Sequence, residues 1–305
     1  MRTKPETPAG HGKEGGMTLR SMLFVPADSE RKLAKSVDSR ADVLILDLED
    51  SVAEARKVPA RRTAQDFIAT QASRIGPRLY VRINPLDTPL AMGDLAAVVA
   101  PGLAGILLPK TLSAADVIRL GHGLDALEAR AGMTPGTVAI MPVATETAAA
   151  MLNMQSFAGP LARLSGVTWG GEDLSAAIGA VSNREEDGSW SPLYVLANSL
   201  CLAAATAAGV PPIDTLYADF RDGAGLAAAC RASRRRGFRG RIAIHPDQVA
   251  IINEAYSPTA AELAHAQRIV DAFTANPEAG TLGIDGQMID RPHLTQALRT
   301  LGQKG

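Results

Sequence analysis

The fold class of this chain is decided by two apolar segments, Val138-Ala-Ile-Met-Pro-Val-Ala-Thr-Glu146 and Leu164-Ser-Gly-Val-Thr-Trp-Gly-Gly-Glu-Asp173. Each ends on a carboxylate, and residues 147–163 between them are rich in alanine and compatible with a helix. Parallel strands need a connection of a dozen or more residues, so this layout is typical of a βαβ unit. Its two acids, Glu146 and Asp173, are then expected at the same edge of the sheet, converging on one spot.

The same alternation of short apolar runs and helix-compatible segments extends outward over most of the chain. Strands are predicted at residues 21–27, 43–50, 78–84, 105–110, 138–146, 164–173, 212–219 and 241–246. Eight such units over roughly 230 residues match a (β/α)₈ barrel (TIM barrel), which is typically ~250 residues long. An open doubly wound sheet is the alternative, although no GxGxxG motif follows the first strand to support its dinucleotide-binding version.

The chain is divided on this basis into three parts. Residues 1–17 are polar and rich in glycine and proline, and are predicted to be a disordered tail. The barrel is predicted to span residues 18–278, with helices at residues 249–256 and 259–276 closing it. Residues 279–305 follow the eighth unit and form a C-terminal segment outside the barrel.

Composition excludes several classes of function. The chain has 305 residues, 46% of them hydrophobic, which is enough for a large core. Its 31 basic and 32 acidic residues leave a net charge of −1, which argues against a general nucleic-acid or membrane-surface role. Cys201 and Cys230 lack metal-binding or redox spacing and suit a reducing compartment. With no apolar run of ~18 residues and no signal-peptide core, the predicted location is the cytoplasm.

Polar side chains gather at the predicted C-terminal ends of the strands, where the active sites of barrel enzymes lie. These residues are Asp47, Glu49, Asp50, Arg82, Asn84, Lys110, Glu146, Glu172, Asp173, Asp219 and His245. Charged residues are seldom fully buried unless they are paired, because an isolated buried charge is costly. The ring therefore needs internal ion pairs or a bound ion.

Each member of this ring also has a structural interpretation. Asp173 is a candidate N-cap for the helix that follows it, and Glu146 a candidate first-turn residue of its own helix. Asp47 or Glu49 is a candidate ion-pair partner of Arg82. In the same way, Lys110 is a candidate rim residue, His245 a candidate hydrogen-bonded structural histidine, and Asp219 a candidate cap or loop charge.

Considered jointly, the acids and Arg82 indicate a cation site that acts on a 2-oxo acid or dicarboxylate. Mg²⁺ is usually held by one or two carboxylates, with water and substrate in the remaining positions, and no Cys/His cluster competes for zinc. Arginine binds a carboxylate bidentately through its planar fork. A cation beside Arg82 would stabilise an enolate, the intermediate of carbon–carbon lyase and aldol chemistry.

Six short motifs, in order along the chain, resemble a known family. They are Phe24-Val-Pro-Ala, Leu46-Asp-Leu-Glu-Asp-Ser-Val52, Val81-Arg-Ile-Asn, Leu108-Pro-Lys110, Glu146-Thr-Ala and Gly171-Glu-Asp-Leu174. The family is that of the citrate lyase β-subunit-like (CitE-like) enzymes of the HpcH/HpaI aldolase superfamily, close to malyl-CoA and citramalyl-CoA lyases. The resemblance extends over about residues 20 to 302.

This resemblance implies a (β/α)₈ barrel that assembles as a homotrimer. It implies that Glu146 and Asp173 bind Mg²⁺, with Mn²⁺ as an alternative, and that Arg82 contacts the substrate carboxylate or thioester oxygen. Asp47 and Glu49 would order water and support these contacts. In the same way, the resemblance places Lys110 near the path of the acyl-CoA.

The C-terminal segment contains Gly286-Gln-Met-Ile-Asp-Arg-Pro292, which resembles a GxMIDxP segment of the family's CoA-thioester branch. In those enzymes the segment is a lid that caps the site of a neighbouring subunit, and its aspartate is a general acid/base. Asp290 is the candidate for that role, although the residues alone equally suit a turn before Pro292. Arg31 and Lys32 either bind the CoA phosphates or form a solvated helix face.

The favoured hypothesis is a Mg²⁺-dependent lyase that cleaves a 3-hydroxyacyl-CoA, such as malyl-CoA or citramalyl-CoA, into acetyl-CoA and a 2-oxo acid. Three alternatives stay open: a citrate lyase β subunit within a complex, a metal-dependent aldolase acting on free 2-oxo acids, and a non-catalytic binding barrel. The acyl group is not determined, because discriminating a methyl group from hydrogen is worth only ~1–3 kcal/mol.

Overall fold

The structure, a computed structural model, describes residues 19–303. Its contacts divide the chain into two compact units: Leu19–Tyr256 makes one, and the C-terminal unit begins at Ser257. The predicted tail, residues 1–17, lies outside the described residues.

The first unit contains eight parallel strands that form one sheet. They are β1 (Ser21–Pro26), β2 (Val43–Asp47), β3 (Arg78–Arg82), β4 (Leu103–Leu108), β5 (Ala139–Pro142), β6 (Val167–Thr168), β7 (Pro212–Asp214) and β8 (Gly240–Ala243). Strands consecutive in sequence pair with one another except β5 and β6, and β1 pairs with β8. This order is that of a barrel and excludes the doubly wound alternative.

The barrel closes between β5 and β6 through isolated bridges rather than a continuous ladder. Ile140 is bridged to Leu164, and Val143 to Thr168, both in parallel orientation. The backbone N–H of Ala144 donates to the carbonyl of Thr168 at 2.9 Å. The predicted (β/α)₈ barrel is thus confirmed, and its thinnest seam lies between the two strands that precede Glu146 and Asp173.

Nine α-helices connect the strands or follow the last of them. They are α1 (Glu30–Ser36), α2 (Lys57–Gln71), α3 (Ala91–Val98), α4 (Ala114–Arg130), α5 (Ala148–Leu152), α6 (Gly171–Ile178), α7 (Pro192–Ala207), α8 (Gly223–Arg236) and α9 (Pro246–Tyr256). Side-chain oxygens of Ser29, Ser113 and Thr147 accept hydrogen bonds at three helix starts. Each satisfies a backbone N–H that has no partner within its helix.

The alternation of side chains along each strand divides the core into two layers. Met22, Val43 and Ile45 belong to one buried cluster. Leu23 and Leu44, which alternate with them, belong to the larger cluster that includes the helices. Each fully buried leucine of this kind contributes roughly 1.5–3 kcal/mol through burial. The apolar barrel positions the polar strand ends above it.

Several predicted boundaries were wrong. Residues 147–163 do not form one helix: α5 ends at Leu152, a short 3₁₀ turn spans Met154–Phe157, and Gly159 has a positive φ of 127° before Pro160. Proline cannot continue a helix, and the conformation of Gly159 favours glycine. Strand β7 ends at Asp214, so residues 215–219 are not part of it. Helix α3 was not anticipated.

At the N-terminal end of β5, a buried ion pair holds the chain together. Glu128, which is fully buried, accepts hydrogen bonds from the backbone N–H groups of Gly136 and Val138, at 2.8 and 2.6 Å. Arg163 donates to both of its oxygens, at 2.9 and 2.5 Å. Burial would raise the pKa of Glu128, but these hydrogen bonds outweigh it and hold the pKa below its ordinary value.

The C-terminal unit contains α10 (Ala260–Ala275), a hairpin of β9 (Thr281–Ile284) and β10 (Gln287–Asp290), and α11 (Arg291–Thr300). The hairpin, which was not predicted, turns at Asp285 and Gly286, whose φ angles of 50° and 76° suit a two-residue turn. The sequence-based division assigned residues 259–276 to the barrel. The contacts instead group them with this unit.

Candidate active site

The predicted ring of polar residues surrounds the C-terminal ends of the barrel strands. Arg82 ends β3 and Asp47 ends β2, while Lys110 follows β4 and Glu146 follows β5. Asp173 lies in the first turn of α6. The structure brings these side chains and Glu49 into one connected set of ion pairs and hydrogen bonds.

Arg82 is the centre of one half of the site. Its Nε and Nη2 donate to the two oxygens of Asp47 at 2.8 and 2.7 Å, and its Nη1 lies 2.8 Å from Glu49 Oε2. The guanidinium also lies 4.5 Å from the centre of the Phe24 ring, a cation–π contact. Burial would lower the pKa of Arg82, but the neighbouring carboxylates outweigh it and raise the pKa. The arginine therefore stays charged inside the barrel mouth.

Asp47 is held in its ionised form by donors on several sides. The backbone N–H groups of Glu49 and Ser51 donate to its two oxygens at 3.0 and 3.1 Å, in addition to Arg82. Burial would raise the pKa of Asp47, yet these hydrogen bonds hold it below the ordinary value. The structural interpretation of Asp47 as a partner of Arg82 is therefore correct.

Lys110 connects the two halves of the site. Its Nζ lies 2.5 Å from Glu49 Oε1 and 3.1 Å from Asp173 Oδ1, and its backbone N–H donates to Glu146 Oε2. Burial would lower the pKa of Lys110, but Glu49 and the other carboxylates outweigh it and raise the pKa. Its φ of 50° is left-handed, a backbone conformation that costs a non-glycine residue on the order of 1–3 kcal/mol. Such strain is found at functional sites more often than elsewhere.

Glu146 is the most strongly perturbed acid of the ring. It is 3% exposed, and burial followed by the negative charge of Asp173 raises its pKa well above the ordinary value. The backbone N–H of Lys110 only partly offsets this effect. Burial also raises the pKa of Glu49, whose Oε2 lies near Arg82 without forming a hydrogen bond to it. This part of the site holds more negative charge than its donors compensate.

Neither Glu146 nor Asp173 caps a helix. Thr147 is the N-cap of α5, which leaves Glu146 before the helix, and Gly170 is the N-cap of α6. A Cβ on Gly170 would lie 2.8 Å from Glu146 Cγ, closer than side chains tolerate. Glycine at this position therefore lets Glu146 pack against the end of β6, next to Asp173.

A small cavity with about 60 Å³ of accessible volume opens beside these acids. Its charged wall includes Arg82, Glu146 and Asp173. Its other lining residues include Leu107, Val143, Thr168, Thr215, Leu216 and Ile242. A mostly apolar cavity with a few convergent polar groups is the usual form of a small-molecule site.

The acids beside this cavity fit a hard divalent cation. Among residues 19–303 no group of three or more His, Cys, Asp and Glu side chains is arranged to hold a metal. Mg²⁺ needs only one or two carboxylates from the protein, since water and substrate complete its shell. Glu146 and Asp173 are the candidate pair, and a cation between them would offset their negative charge.

Other predicted residues lie apart from this cluster. Arg31 and Lys32 are exposed on α1. Asp219 accepts a hydrogen bond from the backbone N–H of Arg221, and His245 Nδ1 accepts one from the backbone N–H of Asp247 at 3.3 Å. These contacts fit the structural interpretation of both residues.

Asp290 belongs to the C-terminal unit, where it precedes α11. Its Oδ1 lies 2.5 Å from His293 Nδ1, and this hydrogen bond lowers the pKa of Asp290. The carboxylate is therefore kept ionised, as a general base requires. Asp290 is also the N-cap of α11. Its geometry is therefore compatible with both a general acid/base and a structural residue before Pro292.

Asp214 was missed by sequence reasoning. It ends β7, accepts hydrogen bonds from Trp169 Nε1 at 2.7 Å and Asn198 Nδ2 at 3.2 Å, and is paired with the buried Arg241. Trp169 lines the cavity, so this network supports its wall. The sequence signal was the acid that ends the short run Pro212-Ile-Asp. It was overlooked because the predicted strand was extended to residue 219.

A (β/α)₈ barrel with charged residues gathered at the C-terminal ends of its strands has the architecture of a barrel enzyme. The family model described as HpcH/HpaI aldolase/citrate lyase matches residues 20–246. The chain therefore belongs to the HpcH/HpaI aldolase/citrate lyase family, as its motifs predicted. None of the helices in residues 19–303 is long and apolar enough to cross a membrane.

Curated relatives match along nearly their whole length. A (3S)-malyl-CoA thioesterase of Cereibacter sphaeroides is 35% identical, over 93% of this chain and 94% of the relative. A citrate lyase subunit beta-like protein of Mycobacterium tuberculosis is 36% identical over the same shares. The crystal structure of CitE from Mycobacterium tuberculosis, in complex with magnesium, acetoacetate and coenzyme A, has a TM-score of 0.73 and 35% identity, and covers 93% of this chain and 97% of that one.

Proposed function

We propose that this protein is a Mg²⁺-dependent carbon–carbon lyase that cleaves a 3-hydroxyacyl-CoA of malyl-CoA or citramalyl-CoA type. The observation that carries the proposal is the pair of acids, Glu146 and Asp173, beside a cavity that Arg82 also lines. Glu146 is buried with a raised pKa, and a divalent cation is the ligand that such a site would bind most favourably. When bound, the cation would withdraw electrons from the 2-oxo acid and stabilise the enolate of the second product.

The residues of this chain have separate tasks in that scheme. Arg82, oriented by Asp47, presents its positive charge to the substrate carboxylate or thioester oxygen. Lys110 balances the charge of Glu49 and Asp173 beside the entry of the acyl group. Fixing these charges before the substrate binds reduces the reorganisation needed during the reaction.

Asp290 is proposed to exchange the proton with the methyl carbon of acetyl-CoA. Its carboxylate, hydrogen-bonded to His293, would take this proton in the condensation direction. We further propose that Asp290 acts in the site of a neighbouring subunit, within a homotrimer. An Asp290→Asn variant should lose lyase activity while it still binds the 2-oxo acid, and mixing it with an inactive Glu146→Gln variant should restore part of the activity.

Coenzyme A is proposed as part of the substrate. The support comes from the relatives, one of them named a malyl-CoA thioesterase and another crystallised with magnesium and coenzyme A. Arg31 and Lys32 would meet its phosphates, because they are cationic and exposed just after β1. Replacing both by alanine should raise KM for the acyl-CoA several-fold and leave KM for the 2-oxo acid unchanged.

A coupled assay tests the proposal. Purified protein is given malyl-CoA, citramalyl-CoA or citryl-CoA, with Mg²⁺ or with EDTA, and acetyl-CoA and the oxo acid are quantified. We expect Mg²⁺-dependent cleavage of at least one of the first two substrates. The absence of cleavage of all three, with Mg²⁺ present, would contradict the lyase function.

Thioester hydrolysis is a second candidate, because a 35% identical relative is named a (3S)-malyl-CoA thioesterase. The same assay separates the two reactions by their products. Hydrolysis releases free malate and free CoA, whereas cleavage of the carbon–carbon bond retains the thioester in acetyl-CoA. A burst of acetyl-CoA followed by free CoA would indicate that both steps occur in one enzyme.

A further inference from the structure

Three side-chain atoms among residues 19–303 are buried without a hydrogen-bond partner: Glu49 Oε2, Thr168 Oγ1 and Arg241 Nε. Glu49 Oε2 still lies 2.8 Å from Arg82, and Arg241 bonds to Asp214 through another nitrogen. The hydroxyl of Thr168 has neither an ionic neighbour nor a hydrogen bond. A buried polar group left unpaired costs about 1–3 kcal/mol, so its presence needs a physical reason.

The position of Thr168 suggests that a bound ligand supplies the missing hydrogen bond. Thr168 is the last residue of β6 and is 2% exposed. Val167 and Trp169 on either side of it belong to the core between barrel and helices. Because side chains alternate along a strand, Thr168 points the other way, into the barrel interior. There it lines the same cavity as Glu146 and Asp173.

The protein itself offers Thr168 no partner on that side. Val143, which is bridged to Thr168, is apolar, and the hydroxyl of Thr168 forms a hydrogen bond with none of the polar side chains that also line the cavity. A hydrogen-bonding group must therefore enter with the contents of the cavity. With an accessible volume of about 60 Å³, the cavity lies well below the ~300–1,000 Å³ range of pockets for drug-sized ligands, so it suits at most a small acid and not a whole acyl-CoA.

We propose that Thr168 is a specificity-determining residue whose hydroxyl hydrogen-bonds an oxygen of the small 2-oxo acid. This inference rests on the proposed function, since it concerns the oxo-acid half of that reaction. Arg82 and the carboxylates provide the charged contacts, and Thr168 adds a neutral contact on the apolar side. A site that hydrogen-bonds a ligand group discriminates against analogues that lack this group more strongly than an apolar pocket discriminates by size.

Two variants of Thr168 separate this role from a structural one. Thr168→Val keeps the shape and removes the hydroxyl, whereas Thr168→Ser keeps the hydroxyl. In condensation with acetyl-CoA, Thr168→Val should raise KM for pyruvate or glyoxylate about tenfold, as expected for one lost hydrogen bond. KM for acetyl-CoA should not change, and Thr168→Ser should stay within about threefold of the wild type for both substrates.

Thermal unfolding in the absence of ligand provides a readout independent of activity. Thr168→Val should unfold at the same temperature as the wild type or at a higher one, because it removes an unpaired polar group. A clear loss of stability would instead mean that the hydroxyl has a structural partner, such as an ordered water, and would overturn the proposal.

Calorimetric titration with pyruvate or glyoxylate, in the presence of Mg²⁺, tests the role of Thr168 separately from the lyase function. We expect about tenfold weaker binding to Thr168→Val than to the wild type and Thr168→Ser. Equal binding to all three proteins would overturn the role of Thr168, even if the enzyme is active. A wild type that binds the oxo acid but cleaves no acyl-CoA would refute the lyase alone, and one that binds no oxo acid would refute both.

Discussion

Two buried glutamates lie at opposite ends of strand β5, and they differ in how their charge is compensated. Glu128, at the N-terminal end, accepts hydrogen bonds from Arg163 and two backbone N–H groups, and its pKa is lowered. Glu146, at the C-terminal end, has one backbone donor and faces Asp173, and its pKa is raised. The first has the environment of a structural acid, and the second is the acid proposed to bind a cation.

This difference shows why burial alone does not identify a functional acid. Both side chains are almost inaccessible to solvent. Arg163 and two backbone N–H groups compensate the charge of Glu128, whereas Lys110 only partly offsets the repulsion between Glu146 and Asp173. A buried carboxylate that the protein leaves undercompensated is therefore the better candidate for function.

The largest expected effect comes from Glu146→Gln. The amide cannot provide the negative charge that a divalent cation needs, so kcat/KM for acyl-CoA cleavage should fall about 1,000-fold, or about 4 kcal/mol. In EDTA the variant should be at least as stable as the wild type, because the repulsion from Asp173 is removed. Steady-state kinetics and thermal unfolding measure the two quantities, and retention of full activity would contradict the assignment.

Glu128→Gln is the matched control at the other end of β5. It breaks a buried pair and leaves Arg163 undercompensated, which should lower the free energy of unfolding by about 3 kcal/mol. Chemical denaturation measures this loss. The kcat/KM of the folded variant should remain within a few-fold of the wild type, and a large catalytic defect would show that the two ends of β5 are not functionally separate.

Gly170→Ala tests how Glu146 is positioned. The added methyl group would lie 2.8 Å from Glu146 Cγ and would displace this side chain from Asp173. We expect about a tenfold loss of kcat/KM and a higher Mg²⁺ concentration for half-maximal activity. Gly123, whose Cβ would meet nothing within 4 Å, is the control position, and alanine there should leave both quantities unchanged.

The smallest effect concerns pH and Glu128. Because its pKa is lowered in the folded state, the stability that Glu128 contributes is present above its ordinary pKa of 4.5 and is lost as pH falls through the lower, folded-state value. The wild type should therefore lose more stability than Glu128→Gln on acidification below pH 4.5. Parallel curves for the two proteins over this pH range would argue against the lowered pKa.

Much of the fold and of the site was predictable from the sequence, because the apolar runs with acidic or basic ends are local patterns. Asp47, Arg82, Lys110, Glu146 and Asp173 all lie where barrel geometry requires. The interruption after Leu152 was visible in the pair Gly159-Pro160. This interruption was missed because the alanine-rich composition of residues 147–163 is also compatible with one long helix.

The remainder depends on contacts between residues distant in the chain. Only the three-dimensional structure shows that Arg163 pairs with Glu128 and that the hydroxyl of Thr168 has no hydrogen-bond partner. A threonine at a strand end has no distinctive pattern, since the same residue is common in any strand. The role proposed for Asp290 involves a second subunit, so neither the sequence nor the structure of one chain tests it.

Calorimetric titration of metal-free protein with Mg²⁺, in the presence of pyruvate, tests whether Glu146 and Asp173 bind the cation. We expect the wild type and Glu128→Gln to bind one Mg²⁺ per chain with similar affinity, and Glu146→Gln to bind none measurably. Equal binding of Mg²⁺ by Glu146→Gln and the wild type would contradict the assignment of Glu146 and Asp173 as the cation site.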